Sequence, residues 1–336
     1  MPLITALMTT YNSAAHVKET IDSILNQTFT DFEFLILDDG SSDTTVELIK
    51  NYDDKRIRLF SDRENKGVGK RLGEALALVN TPYIAKIDSD DVSVPERFEK
   101  QLRYLEQHNN LDIIKSYFSY FPDNNDVAQS ERYKQYKAVK EKEHNAVDTP
   151  LLIQQHLPRW NCIIHTTYFA KTSVIKAVGY PEHRIGEDYS LFYRALESGY
   201  QIGCIPECLT KMRVSNFSVT TRTDTANNYV DALIQLKKHK IDRLCKNHEG
   251  LWIFGTGGLG KETALALRAS GYAVHGFLDR QNKADIELNK QLYPVVSLDD
   301  AANKGIIIAA QPVRMEIVHK LVDKGLIEWQ DFMVIA

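Results

Sequence analysis

Leu35-Ile36-Leu37-Asp38-Asp39-Gly40-Ser41-Ser42-Asp43 is an apolar run that ends on two carboxylates and a turn. Further along, Ala85-Lys86-Ile87-Asp88-Ser89-Asp90-Asp91 repeats the design. Each reads as a buried strand delivering acids at its carboxyl end, and in an open α/β sheet the ligand crevice lies at that end. Alternation along an extended segment points Asp88 and Asp90 the same way, so their repulsion calls for a cation between them. Mg2+ or Mn2+ with oxygen ligands is the simplest choice. The bland reading of both stretches stays open: a turn that caps the next helix, and a solvated acidic loop.

Working outward, Ile4 to Met8, Phe32 to Leu37, Ile57 to Phe60 and Tyr83 to Ile87 read as strands. Between them lie helices capped by Ser13 and by Ser42 or Asp43, one over Val68 to Val79, and one starting at Pro95. The alternation predicts βαβ units in a mostly parallel sheet. From Tyr117 to Pro158 periodicity weakens, which predicts a solvated helix and loop excursion outside the core. Gly186-Glu187-Asp188 then opens a helix carrying Arg194, an acidic pair that a helix N-terminus favours for capping alone.

At Leu251 a fresh βαβ begins, with Gly255-Thr256-Gly257-Gly258-Leu259-Gly260 after the strand and Asp279 at the end of the next one. Gly255, Gly257, Gly260 and Asp279 match the dinucleotide fingerprint in spacing and context, so a dinucleotide is the expected ligand class, with a degenerate structural domain as the alternative. The domain expectation is 1–225, a helical linker over 226–248 with Lys237 to Lys246 as a basic face, and a Rossmann-like α/β domain over 249–336. Only one mononucleotide half is visible in it.

Composition narrows the function classes. The 336 residues carry 41 Lys plus Arg against 45 Asp plus Glu, a net charge of -4, so the basic field of a nucleic-acid binder is missing. No run approaches the ~20 apolar residues of a membrane span. The four cysteines, Cys162, Cys204, Cys208 and Cys245, are too few for a disulfide scaffold and predict structural thiols in a reducing cytoplasm.

Taken in order, Met8 to Asn12, Gln27 to Phe34, Asp38-Asp39-Gly40-Ser41, Asn65-Lys66-Gly67, Asp88-Ser89-Asp90 with Pro95 and Arg97, and Glu187-Asp188 with Arg194 resemble the family 2 inverting glycosyltransferases of the GT-A fold. The resemblance runs from Leu3 to about Thr221. It implies an α/β GT-A nucleotide-diphospho-sugar transferase domain followed by the smaller Rossmann-like domain. It further implies that Thr10, Tyr11, Asn12 and Asp39 hold the donor nucleotide, with Asp39 on the base. Asp88 would sit on the ribose side, Asp90 ligate the metal, and Asp188 act as general base, with Glu187 and Arg194 beside it. Many members carry Arg-Asn where this chain has Leu72-Gly73, leaving Lys66, Lys70 or Arg71 to face the diphosphate. His165 falls where similar enzymes floor the acceptor site, and a satisfied semi-buried histidine is the alternative.

Chemistry fits these roles. A sugar hydroxyl needs a carboxylate to accept its proton as it attacks, and one direct displacement inverts the anomeric carbon. The expected partners are a nucleotide sugar, probed best as a UDP-sugar, and a glycan or lipid-linked acceptor of a surface polysaccharide. Nucleic acid and a transmembrane segment are not expected. A peripheral contact at the inner membrane face and an oligomer stay open. A sugar nucleotidylyltransferase lacks its Gly-rich basic loop here, an NAD-dependent oxidoreductase lacks an acid/base pair by the fingerprint, and a non-catalytic nucleotide-sugar-binding regulator remains the competing reading.

Overall fold

The computed structural model describes residues 2–182, 185–216, 226–281 and 284–336. The chain divides into two compact units, Met1–Thr221 and Arg222–Ala336. The end of the resemblance at Thr221 and the expected boundary at 225 both lie outside the described residues.

The first unit is built on an eight-stranded sheet. Its strands are β1 (Ile4–Thr10), β2 (Phe32–Asp38), β3 (Ile57–Ser61), β4 (Tyr83–Asp88), β5 (Val92–Ser93), β6 (Ile113–Pro122), β7 (Phe169–Lys171) and β8 (Ile202–Val214), in the order β3-β2-β1-β4-β7-β6-β8-β5. The first four are parallel neighbours, as the alternation predicts. β7 is antiparallel to β4 and β6, and β5 to β8, so the far half is mixed. Helices α1 (Val17–Leu25), α2 (Thr45–Lys50), α3 (Val68–Leu78) and α4 (Arg97–Gln107) connect the early strands. Val17, Ile21 and Ile24 of α1 and Phe98, Leu102 and Leu105 of α4 pack with Ile4, Ala6, Met8, Phe34 and Ile36 into one core.

Two expectations need correction. Ser13 does not cap α1 through its side chain; its carbonyl accepts the His16 and Val17 amides, and the helix starts at Val17. The start of the Tyr117 to Pro158 excursion is not outside the core. Residues 113–122 form β6, parallel to β8, with Phe118 and Tyr120 buried against Val127 and Val214. Its pairing shifts register on either side of Tyr117, and from Tyr117 to Phe121 only alternate residues are buried, which is why serines and tyrosines hid a ten-residue strand. The rest of the excursion is short helical segments, among them Asn125–Gln129 and Pro150–His156.

The second unit is a five-stranded parallel sheet of β9 (Leu251–Phe254), β10 (Val274–Asp279), β13 (Val295–Ser297), β14 (Gly305–Ile308) and β15 (Phe332–Val334), with a small hairpin of β11 (Ile286–Leu288) and β12 (Gln291–Tyr293). The order β13-β10-β9-β14-β15 runs outward from β9 in both directions, so two strands follow the reversal and the single-half expectation is too small. The 226–248 segment is two helices, Ala226–Leu236 and Lys238–Asn247. Lys237 between them is no part of a basic face: it is fully buried, its ammonium on the Val334 and Ile335 carbonyls.

Candidate functional site

At the carboxyl end of β2 the two acids separate in role. Asp39 is buried and accepts three hydrogen bonds: Oδ1 accepts the Lys66 amide at 2.8 Å and Arg71 Nε at 2.8 Å, and Oδ2 accepts the Gly67 amide at 2.9 Å. It therefore pins the 64–67 loop across the strand end. Gly40 makes that approach possible, since a Cβ there would lie 2.9 Å from the Glu64 carbonyl carbon and its φ is +78°. Asp38 Oδ2 accepts the Ser41 amide, while Oδ1 is buried without a partner among the described residues. Thr10 lies beside Asp38 in register with its hydroxyl likewise buried and unpartnered. Asn12, at φ +49°, accepts the Ser42 amide and donates its own to Ser41, and Tyr11 is exposed.

Lys66 and Arg71, expected at the diphosphate, are engaged by the same loop. Arg71 places its guanidinium on Asp39, Glu74, Asp62 and the Glu64 carbonyl, and Lys66 pairs with Asp62 and Glu74. Both cations brace the loop. Arg194 has Nη2 on the Gly179 carbonyl at 2.6 Å and Nε on the Ser190 carbonyl of its own helix.

At the end of β4 the structure supplies a cation that alternation should have revealed. Lys86, two residues before Asp88 and on the same face, places Nζ 2.6 Å from Asp88 Oδ1, and burial has taken it fully from solvent. Lys86 and its neighbours hold the Asp88 carboxyl below its usual range against the burial that would raise it. At Asp90 the balance is reversed: burial, then the Asp88 charge, pushes it up to about 6 against the Arg213 and Lys86 charges. Asp91 is buried with Oδ1 on the Arg213 amide and is also pushed up, by burial and by its two acidic neighbours. Ser89 links this loop to the β1 turn, its hydroxyl 2.7 Å from that of Ser13. Arg213, which the sequence reading passed over, ties the loop from behind through Nε on the Asp90 carbonyl, with Glu19 and Asp123 as ion partners.

The third acidic group comes from the helix Glu187–Glu197, entered through Gly186 in the left-handed conformation. Asp188 Oδ1 accepts the Tyr189 amide at 2.6 Å and Oδ2 accepts Asn161 Nδ2 at 2.8 Å. Burial pushes its carboxyl up to about 6, Asp88 adds to the rise, and these two hydrogen bonds oppose it. Glu187 is pushed up to about 8 by burial and by Asp188. His165 Nδ1 lies 3.7 Å from Glu187 Oε1, and its Nε2 shares a proton position with Tyr180 Oη at 3.0 Å. Burial drives His165 down to about 3, so it is a neutral, satisfied histidine beside the acids. The adjacent Thr166 hydroxyl accepts the Asp88 amide at 3.3 Å, which brings this segment onto the end of β4. Asp88, Glu187, Asp188 and His165 thus share one pocket of charge, whereas Asp39 and Asn12 stand at the β1–β2 end.

In the second unit a cavity of about 320 Å3 lies at the ends of β9, β10 and β14, lined by Gly255, Thr256, Gly257, Asp279, Arg280 and Ala310 among others. Gly260 is required for packing, since a Cβ would fall 1.9 Å from the Gly255 carbonyl. Gly257 is different: a Cβ there meets nothing within 4 Å. Asp279 Oδ2 accepts the Thr256 hydroxyl at 2.6 Å.

The comparisons agree with this geometry. The family described as glycosyl transferase family 2 matches residues 5–171. An uncharacterised glycosyltransferase of Methanocaldococcus jannaschii is 31% identical over 245 residues, 71% of this chain and 76% of its own. The O-antigen biosynthesis glycosyltransferase WbnJ of Escherichia coli is 31% identical over 224 residues, 65% of this chain and 82% of its own. Among solved structures, S. aureus TarS 1-349 in complex with UDP-GlcNAc superposes with a TM-score of 0.55 at 17% identity, covering 80% of this chain and 72% of that one. The mannosyltransferase PcManGT from Pyrobaculum calidifontis, in complex with GDP-Man and Mn2+, gives 0.51 at 16% identity over 72% and 64%. Those likenesses show a GT-A type of fold. The chain belongs to glycosyltransferase family 2.

Proposed function

We propose that this glycosyltransferase moves a hexose from a UDP-sugar to a glycan or lipid-linked acceptor of a surface polysaccharide, with inversion and with a divalent metal. The observation that carries the reading is Asp188: a half-buried carboxylate with one donor on each oxygen, tuned to about 6, in the same charge pocket as Asp88. A group so placed is ionised at neutral pH and near the value that favours proton transfer. As the acceptor oxygen bonds to the anomeric carbon, its proton passes to Asp188. The bond to the diphosphate breaks with its electron pair, and the nucleoside diphosphate leaves. The role of WbnJ in O-antigen biosynthesis and of AmsE of Erwinia amylovora in amylovoran biosynthesis supports the polysaccharide setting. UDP and UDP-GlcNAc in TarS support the donor class.

The residues present fit a divalent ion. Among the described residues, Asp90 is raised by burial and by the Asp88 charge, with no cation in hydrogen-bond contact as Lys86 is with Asp88, and Asp91 Oδ2 is buried without a hydrogen-bond partner. Asp90 would hold the ion with Asp88 nearby, its remaining ligands being water and diphosphate oxygens. Bound there, a metal supplies positive charge to the leaving diphosphate. Asp39 would act on the base through the loop it pins and through its one remaining acceptor position. No helix among the described residues is long and apolar enough to cross a membrane, which leaves a peripheral approach to a lipid-linked acceptor at the inner face of the membrane. Calorimetry with UDP-glucose, UDP-N-acetylglucosamine and GDP-mannose, with and without Mn2+, tests the reading. Metal-dependent affinity for a uridine donor is expected, and metal-independent affinity for all three contradicts it.

For the second unit we propose a nucleotide-type ligand, a dinucleotide or a nucleoside diphosphate, in the cavity where the strand order reverses. The open space at Gly257 supports it, because neither backbone conformation nor packing requires a glycine there. Gly257→Val should abolish binding of NAD or ADP-ribose to the full chain, and equal binding by the variant would refute the site.

A further inference from the structure

Asp188 is held by a side chain from outside its own helix. Asn161 precedes β7 in the segment that follows the helix Pro150–His156, and its Nδ2 donates to Asp188 Oδ2 at 2.8 Å. The orientation of that amide is fixed from the other side, where Oδ1 faces the Ile163 amide at 3.4 Å. An amide oxygen only accepts, so turning the group over would set oxygen against a carboxylate and nitrogen against an N–H. The segment itself is clamped at two points. Tyr189, next to Asp188, donates its hydroxyl to the Leu157 carbonyl at 2.9 Å. Lys115, buried in β6, donates to the Cys162 carbonyl at 3.1 Å and to the His144 carbonyl at 2.6 Å. Burying an ammonium on carbonyls costs desolvation and pushes Lys115 below its usual range, a cost that two anchored segments offset.

We propose that Asn161 is a positioning residue for the general base, fixing the plane of the Asp188 carboxylate and keeping it ionised, with Lys115 holding the Asn161 segment in place. The proposal rests on the reading of Asp188 as the base. With Asn161 on Oδ2 and the Tyr189 amide on Oδ1, each oxygen keeps one acceptor position for an incoming hydroxyl. Both donors favour the charged form, against burial and against the Asp88 charge. Among the described residues, the other titratable groups facing this pocket include Glu187, His165 and Lys86, from the base helix, the 165–167 turn and β4, and none of these three hydrogen-bonds Asp188.

The sign of the expected effect follows. Removing the Nδ2 donor raises the Asp188 pKa, so less base is ionised at neutral pH and the acid limb of the turnover profile moves upward by about one unit. The test is kcat against pH at saturating donor, read as nucleoside diphosphate release from the fastest-turned-over of UDP-glucose, UDP-galactose, UDP-N-acetylglucosamine and GDP-mannose with Mn2+. Wild type, Asn161→Ala, Asn161→Asp and Asp188→Asn are compared. Asn161→Ala should lose about three- to sixfold at pH 6 to 6.5 and recover to within about twofold above pH 8, with donor affinity unchanged. Asn161→Asp, which keeps the shape and sets a second carboxylate against the first, should shift the limb further. It also serves if the alanine variant does not fold. An unshifted acid limb in both, or a loss that is the same at every pH, overturns the proposal while leaving Asp188 as base. Full turnover by Asp188→Asn removes the base reading and the proposal with it.

Discussion

Glu187 is the residue whose protonation the fold itself alters most legibly. Its pKa in the folded state, about 8, lies above the ordinary carboxyl range, with burial the larger cause and the Asp188 charge the next. The folded chain therefore keeps a proton that the unfolded chain has already released. The resulting stability is fully present below about pH 4.3 and is lost as pH rises through about 8. Glu187→Gln cannot ionise, so its melting temperature should overtake that of wild type as pH is raised from 5 to 9. Parallel curves for the two proteins would mean that Glu187 is ionised in the fold. At the acidic loop, Asp90→Asn and Asp88→Asn should each remove most metal-dependent UDP affinity; Asp90→Asn should change the melting temperature little, whereas Asp88→Asn should lower it, because the fully buried Lys86 loses its charge partner. Calorimetry with Mn2+ decides it: undiminished affinity in both would take the metal away from this loop.

Elements position these residues through a few close approaches. Gly40 lets the β2 turn run against the 63–65 loop, in a left-handed conformation where an alanine is strained and its Cβ collides with backbone. Gly40→Ala should cost about 1–3 kcal/mol of stability and weaken UDP binding, because the loop that Asp39 pins has to move. Wild-type affinity and stability in that variant would separate the loop from the donor site. The four early strands and their helices were legible in the sequence because period-2 and period-3.6 patterns alternate cleanly there. β6 was not, because its buried residues include Lys115 and Ser116, aromatic residues lie on both of its faces, and its register shifts at Tyr117. Carboxylates at strand ends were legible for the same reason that strands were. Their partners were less so: Lys86 was within reach of the alternation that pairs Asp88 with Asp90. Asn161 and Arg213 meet their acids only through contacts distant in sequence, 27 and 90 or more residues away. The motifs showed Lys66, Arg71 and Arg194 as cations without showing the carboxylates and carbonyls that engage them.

Across the whole molecule, every residue proposed to touch donor or acceptor belongs to the first unit, and the second has its own core around Ile306, Ile308, Leu321 and Phe332. A chain of residues 1–225 is therefore expected to keep UDP affinity, and a folded, monodisperse truncation that loses it would place part of the donor site in the second unit. The central claim, however, is that Asp188 takes the acceptor proton, and Asp188→Asn tests it most directly. The amide keeps the size of the carboxylate and caps a helix well, but it cannot accept that proton. Turnover at saturating donor should fall by about 10²- to 10⁴-fold while calorimetric donor affinity stays at the wild-type value. Turnover near wild type would contradict the account.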